Sequence, residues 1–460
     1  MIENTKVLCG KDKKHVIHPW ADLGNFQKTE STVIAEANGY IVVDTDGNQY
    51  IDGIAGMWCV NIGYGRKEMA EVIAEQAMRM PYCNHFGANT NVPAAELAAK
   101  LSELTPGDIN WVHYTNSGSA AVDSALRFVQ YYFNSLGKPE KKQIITRDDA
   151  YHGSTYLTAS LSGKQVDKSY FDYIKEFIHH LPTPNPSSRP ENMSIDEFCD
   201  AKVKELEDKI LELGADKVAC FIAEPILGSG GVIVPPSGYQ KRTFEICRKY
   251  DVLYISDEVV TGFGRLGHFF ASKNVFDIIP DIIITAKGIT SGYQPLGAAI
   301  ISDRLVQQIS GKMARPNSFF TNGYTFSGHP VACAAALKNI EIIEREKIND
   351  HVKQIGPYFL ARLSTLAEIP VVNEVRGHHL MACVECVIDE TGPTETNIAF
   401  ASKIDRYCQD NGLILRPYGE LCILSPPLII DQPGIDRMVE IMKNSILKAQ
   451  EEIKWPQKKI

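Results

Sequence analysis

Asp281-Ile-Ile-Ile-Thr-Ala-Lys287-Gly288 ends a run of apolar residues on a lysine and a glycine. Four of the five residues from Ile282 to Ala286 are apolar, which predicts a buried strand with Lys287 at its C-terminal end. Strand ends of this kind are where α/β proteins place their sites. Burial disfavours an ammonium ion, so a lysine there can become a neutral amine able to attack a carbonyl and form a Schiff base. On its own the pattern is weak, because a lysine past a strand end more often snorkels to the surface.

A second buried strand, Val252-Leu-Tyr-Ile-Ser-Asp257, ends in two carboxylates, Asp257 and Glu258, before the turn Thr261-Gly262-Phe263-Gly264-Arg265. Adjacent strand residues point to opposite sides, so one carboxylate can enter a site while the other meets solvent or a backbone amide. A buried aspartate that stays ionised needs a cation, such as a protonated ring nitrogen. A helix cap or a structural ion pair accounts equally well for either residue.

The third feature is Tyr114-Thr115-Asn116-Ser117-Gly118-Ser119, small and hydroxylic residues just ahead of an amphipathic helical run. A helix N-terminus offers unpaired amides and the positive end of a dipole, and a glycine lets an anion approach, which suits a phosphate. Ordinary helices also begin this way. GxxxxGK[ST], HExxH, GxSxG and paired CxxC patterns are all absent from the sequence, which makes P-loop nucleotide-binding, zinc and serine-hydrolase classes improbable. Cys383 and Cys386 form a lone CxxC within a predicted strand, where residues three apart face opposite sides, so no metal site is expected.

These residues need elements to hold them. Asp46-Gly47 between two β-rich runs, Tyr40 to Asp44 and Gln49 to Asp52, predicts a hairpin. Residues 1 to about 35 show no sustained period, and His18-Pro19-Trp20 with Gly24-Asn25 predicts an ordered arm, not a helix. Helical patterns follow at Lys67 to Met80, Pro93 to Leu104 and from Ser119 toward Ser135. The chain then alternates strand and helix through Gly297 to Ser302, the pattern of a largely parallel sheet covered by helices. Strands near Met381 to Ile388 and Leu421 to Leu424, with the N-terminal hairpin, predict a smaller α+β domain drawn from both chain ends.

The whole-chain numbers agree with that picture. Of 460 residues 44% are apolar and 22% charged, the profile of a globular chain with a sizeable core. A formal charge of −9 with no long basic run disfavours nucleic acid as a partner. No apolar run of about 18 residues is present, so no membrane span is expected. Eleven scattered cysteines in a chain this large fit a reducing, cytoplasmic setting.

Taken in order, nine segments resemble the class III pyridoxal-phosphate-dependent aminotransferases of fold type I, in the ω-amino acid and amine:pyruvate transaminase branch. They are HPW at His18, GMWCVNIGYGR at Gly56, TNSGSA at Thr115, YHGST at Tyr151, EPILGSGGVIVPP at Glu224, SDEVVTGFGR at Ser256, AKGITSGYQPLGA at Ala286, YTFSGHP at Tyr324 and LRPYG at Leu415. The resemblance spans nearly the whole chain. It implies a seven-stranded, mostly parallel sheet in a large domain of residues 67–330, with 1–66 and 331–460 forming the arm and the small domain.

It implies pyridoxal 5'-phosphate as cofactor, with Lys287 as the Schiff-base lysine and proton carrier. Asp257 would pair with the ring nitrogen, Val259 and Tyr151 would cover the ring faces, and Gly118 and Ser119 would hold the phosphate. Thr325 would reach that phosphate from the second subunit of a homodimer, with a tetramer left open. Asn116 and Glu224 would support the site. Trp20, Trp58, Phe86 and Tyr151 would form an aromatic substrate pocket, with Arg416 binding a carboxylate through its planar fork. Aromatics like these more often pack in a core, and Arg416 alone could be a surface ion pair.

The implied reaction moves an amino group from an ω-amino acid, polyamine or other amine to an oxoacid, with pyruvate expected, by a ping-pong cycle. Two departures bear on it. Ornithine- and GABA-type relatives carry a glutamate where this chain has Ser229, so the carboxylate that neutralises the arginine there is missing. The common SGSEAN is SGSAAV here, so Ala120 cannot supply the usual carboxylate. That second departure brings in an adenosylmethionine-8-amino-7-oxononanoate aminotransferase as the alternative. A racemase or aminomutase on the same cofactor and a catalytically silent cofactor-binding protein are further alternatives.

Overall fold

A computed structural model describes residues 4–28, 31–310, 319–388 and 394–452. Its centre is a sheet of seven strands in the order Ile109–Thr115, Gly297–Ser302, Ile282–Thr285, Leu253–Asp257, Val218–Ala223, Gln143–Arg147 and Ile178–Leu181. Only Gly297–Ser302 runs antiparallel to its neighbours, so the sheet is mostly parallel and the chain is α/β, as its alternation predicted.

Both faces of this sheet are buried, which is why its strands read as continuous apolar runs. Ile144, Ile222, Ile255, Ile282 and Ile284 point to the side covered by the Gly118–Ser135 helix. Their neighbours Ile145, Phe221 and Tyr254 point the other way, against Leu206 and Ile210 of the Ile195–Leu213 helix and Cys247 of Tyr239–Lys249. Each fully buried aliphatic or aromatic side chain stabilises the fold by roughly 1.5–3 kcal/mol.

Strands from the two chain ends meet in the remaining sheets. The hairpin strands Ile41–Asp44 and Gln49–Asp52 pair across Asp46-Gly47, with Ile34–Asn38 on the outside. Gly47 takes φ +87°, and the Asp44 carboxylate accepts from the amides of Asp46 and Asn48 and from Tyr50. Gln49–Asp52 then pairs in parallel with Leu413–Ile414, nearly the whole chain away. A further sheet orders Val372–His378, Met381–Cys386, Leu421–Leu424 and Arg416–Tyr418, and so presents Arg416 on an edge strand. Cys383 and Cys386 enter two different apolar clusters, on opposite faces of their strand.

The N-terminal arm departs from the sequence-based expectation: Thr5–His15 is a helix. Its apolar periodicity is poor, but Asn4 caps it by accepting from the Lys6 amide, and Lys13, Lys14 and His15 sit at the negative end of its dipole. Caps and charge, not an apolar stripe, define this segment. Among the described residues no helix is long and apolar enough to cross a membrane.

Candidate active site

The parallel strands of the large sheet deliver their C-terminal ends to one edge. Asp257 ends its strand, Glu224 follows Val218–Ala223 directly, and Lys287 lies two residues after Ile282–Thr285. Tyr151 follows Gln143–Arg147 by four residues, and Gly118 opens a helix three residues after Ile109–Thr115. Residues spread over 170 positions of sequence therefore line one cavity of about 450 Å³. Ten of the residues singled out from sequence face it: Trp20, Trp58, Gly118, Ser119, Tyr151, Glu224, Asp257, Val259, Lys287 and Arg416.

Asp257 and Glu258 divide as adjacent strand residues should. Asp257 is buried facing the cavity, where one oxygen lies 2.7 Å from His152 Nδ1 and the other accepts from the Val259 amide at 3.2 Å. Glu258 turns the other way and accepts from the amides of Ala271 and Ser272 and from the hydroxyls of Ser272 and Thr261. Burial raises the Glu258 pKa, and those donors oppose the rise.

Lys287 has φ +48°, in the left-handed region that costs a non-glycine residue of order 1–2 kcal/mol. Burial lowers the pKa of its amine, against the opposing pull of Asp257 and Glu224. No carboxylate lies within ion-pair distance of it among the described residues. Glu224 acts as a brace: its two oxygens accept from the amides of Tyr151 and Gly228, both at 2.9 Å, and tie together the two loops that flank the cavity.

At the helix N-terminus the Ser117 hydroxyl accepts from the Ala120 amide, and Ser119 Oγ accepts from the Ser154 amide at 3.1 Å. Close approach explains both glycines there. A Cβ on Gly118 would meet Val259 at 3.1 Å, and one on Gly153 would meet Ser119 Oγ at 2.5 Å. Trp58 is buried with its indole N–H unpartnered, Trp20 meets the Tyr151 ring edge-on at 6.0 Å, and the Ser229 hydroxyl is buried without a partner. Arg416 donates to Met57 Sδ.

Three predicted residues stand elsewhere. Asn116 is exposed and does not line the cavity. Phe86 and Thr325 are exposed and share one patch, in which the Tyr82 hydroxyl donates to the Thr325 carbonyl and Phe86 lies beside Gly323. Sequence reasoning missed His152, although it sits inside the YHGST segment; nothing local announces that a histidine will meet an aspartate 105 positions away. It also missed Met57, which follows the left-handed Gly56 in a tight turn.

The model for the aminotransferase class-III family matches residues 25–446 of the chain. The chain belongs to the class-III aminotransferases. The class-III aminotransferase is 39% identical to putrescine–pyruvate aminotransferase of Pseudomonas aeruginosa, over 94% of each chain. It is 37% identical to diaminobutyrate–2-oxoglutarate transaminase of Halomonas elongata, over 96% of each. Among solved structures it superposes on an (S)-enantioselective ω-transaminase from Thermomicrobium roseum with TM-score 0.93 and 36% identity, covering 98% of this chain and 100% of that one.

Class-III aminotransferases depend on pyridoxal phosphate. The residues of this aminotransferase fit that group: a buried carboxylate facing the cavity with a histidine ring nitrogen beside it, a strand-end amine whose pKa burial lowers, and a glycine-bearing helix N-terminus that lines the cavity.

Proposed function

We propose that the enzyme transfers an amino group from an ω-amino acid, a polyamine or another amine to an oxoacid, with pyruvate as acceptor, in a two-step ping-pong cycle. The observation that carries this is the convergence of Lys287, Asp257 and the N-terminus of the Gly118–Ser135 helix on one cavity that also holds Arg416. The putrescine–pyruvate relative supports the choice of donor class and acceptor.

Pyridoxal phosphate supplies the carbonyl that receives the amino group and a ring that accepts the electrons released at the substrate carbon. In this reading Gly118 and Ser119 hold its phosphate, while Asp257, oriented by His152, keeps the ring nitrogen protonated. Val259 and Tyr151 confine the ring, and Glu224 braces the Tyr151 loop. Lys287 would anchor the cofactor, and its Nζ would carry a proton to and from the substrate carbon. Trp20, Trp58 and Tyr151 pack the substrate tail and keep water out, and Arg416 binds the acceptor carboxylate through its paired N–H groups.

Phe86 and Thr325 support a homodimer, because they share an exposed patch that does not line their own cavity and would complete that of a second subunit. Pairing of Leu413–Ile414 with Gln49–Asp52 supports a small domain built from 1–66 and 331–460 beside a large one at 67–330. A cytoplasmic location is supported by the free cysteines, eight of them buried.

The test is a single half-reaction. Holoenzyme is mixed in turn with putrescine, β-alanine and 1-phenylethylamine while the visible band of the cofactor is followed, and pyruvate is then added. Loss of the band with a donor and its return with pyruvate is the expected result. A band that answers only to adenosylmethionine would favour the 8-amino-7-oxononanoate reaction, and one that answers to nothing would return the chain to silent binding.

A further inference from the structure

Arg416 is the cavity's anion-binding candidate, yet no carboxylate of the chain is paired with it among the described residues. Ser229, which lines the same cavity, carries no charge. The carboxylate placed to compete for it is Asp167, which pairs with a lysine lying over the ring of Tyr418, a residue of Arg416's own short strand. It is already taken. Lys164 Nζ lies 3.2 Å from Asp167 Oδ2, and the lysine side chain is only 2% exposed.

The placement of Lys164 is built into the backbone. Gly163 donates to the Ala150 carbonyl at 2.8 Å and packs so tightly on the preceding loop that a Cβ would come within 2.2 Å of the Arg147 carbonyl oxygen. The chain then turns into the short helix Gln165–Lys168, which brings Asp167 back over Lys164. On its other side the ammonium lies over the Tyr418 ring, 3.6 Å from the centroid, and 5.8 Å from that of Tyr151. Tyr418 and Arg416 share the strand Arg416–Tyr418, two positions apart and so on the same face. No well-aligned hydrogen bond satisfies the ammonium, so Asp167 and the two rings are what hold it there.

We propose that Lys164 is a positioning residue for the acceptor half-reaction: by engaging Asp167 and stacking on Tyr418, it keeps that carboxylate from capturing Arg416 and leaves the guanidinium available to the oxoacid. The proposal rests on the reading of Arg416 as the carboxylate-binding residue. On this proposal, removing Lys164 frees Asp167 to turn across the Tyr418 ring toward the unpaired arginine. The acceptor would then have to displace an internal carboxylate, while an amine donor without a carboxylate would meet no such competition.

Steady-state kinetics of the holoenzyme with pyruvate and 1-phenylethylamine test this. Lys164→Met is expected to raise the pyruvate KM about tenfold, the size of one lost favourable charge interaction, with the 1-phenylethylamine KM changed less than about twofold. Adding Asp167→Asn to Lys164→Met should return the pyruvate KM toward its original value, a rescue that mere structural damage would not give. Lys164→Arg should hold it near the original value. In an Arg416→Ala background Lys164→Met should add nothing.

If Arg416→Ala leaves the pyruvate KM unchanged, the reading of Arg416 falls and this proposal with it. If Arg416→Ala raises it while Lys164→Met does not, or if Asp167→Asn fails to rescue, only the role of Lys164 falls. Should Lys164→Met not fold, Asp167→Asn alone decides: it should leave the pyruvate KM unchanged or lower it, and a rise overturns the proposal.

Discussion

The strand Ile282–Thr285 has a charged residue before it and another after it, and the two are treated in opposite ways. At the entry Asp281 is fully buried and saturated: Arg248 Nη1 at 2.8 Å, Arg304, and the Tyr254 amide at 2.8 Å all donate to it. At the exit Lys287 is buried at the cavity with no ion-pair partner among the described residues, in a strained backbone conformation, although the charges of Asp257 and Glu224 reach it. A charge used only for structure is given every partner it can accept, because an unpaired buried ion costs several kcal/mol. A charge proposed to do chemistry is here left incomplete, where a ligand could complete it. Glu258 and Asp257 repeat the contrast within one strand, and so does Arg416, which is denied a carboxylate while Lys164 and Asp167 pair nearby.

Exchanging charge for neutral side chains at the two ends should therefore separate activity from stability. Lys287→Ala carries the largest expected effect, a fall in turnover of at least about four orders of magnitude with an unchanged or raised melting temperature, read by steady-state rates and thermal denaturation. A variant that kept turning over would break the assignment of the open end. Arg416→Ala comes next, raising the pyruvate KM about 10- to 100-fold, as loss of a charged hydrogen-bonded contact predicts, with a smaller effect on a carboxylate-free donor. Equal effects on both substrates would remove Arg416 from the comparison.

Asp281→Asn should do the reverse of Lys287→Ala. It is expected to cost about 2–3 kcal/mol of stability, measured by urea denaturation, with the turnover of the folded fraction retained. A loss of turnover at full stability would show that the saturated end is not merely structural.

The smallest effect is expected at Asp405, a half-buried carboxyl whose pKa burial raises to about 6. Its protonated form is the one the fold favours, so its contribution is full below the unfolded value near 4 and is lost as pH rises through about 6. Asp405→Asn should raise the melting temperature by a few degrees above pH 6 and leave it unchanged near pH 4.

The large sheet was legible because both of its faces are buried: runs such as Ile282–Thr285 and Val218–Ala223 have no polar face to confuse the period. Strand Ile109–Thr115 was less so. It lies at the sheet edge, where Asn110 and Trp111 are exposed, and its composition does not separate it from the loop around it. The helix Thr5–His15 is not legible as one, because it buries nothing and so carries no apolar period. Among site residues, Lys287, Asp257 and Gly118 carried local signals, each at the junction of an apolar strand with a glycine or a helix start. His152 and Lys164 carried none, since their meaning lies in Asp257 and Tyr418, far off in sequence.

The alternation of strand and helix, the apolar faces of the helices, the hairpin at Asp46-Gly47 and the family were determined by the sequence itself, because each depends on residues within about a dozen positions or on motifs that can be matched directly. Which charges are paired and which stay open was decided only by the tertiary structure. Asp167, Asp257, Glu258 and Asp281 all end in the same carboxylate group; burial and the partners brought to it by distant strands make it a counter-ion, a cofactor ligand candidate, a brace or an anchor.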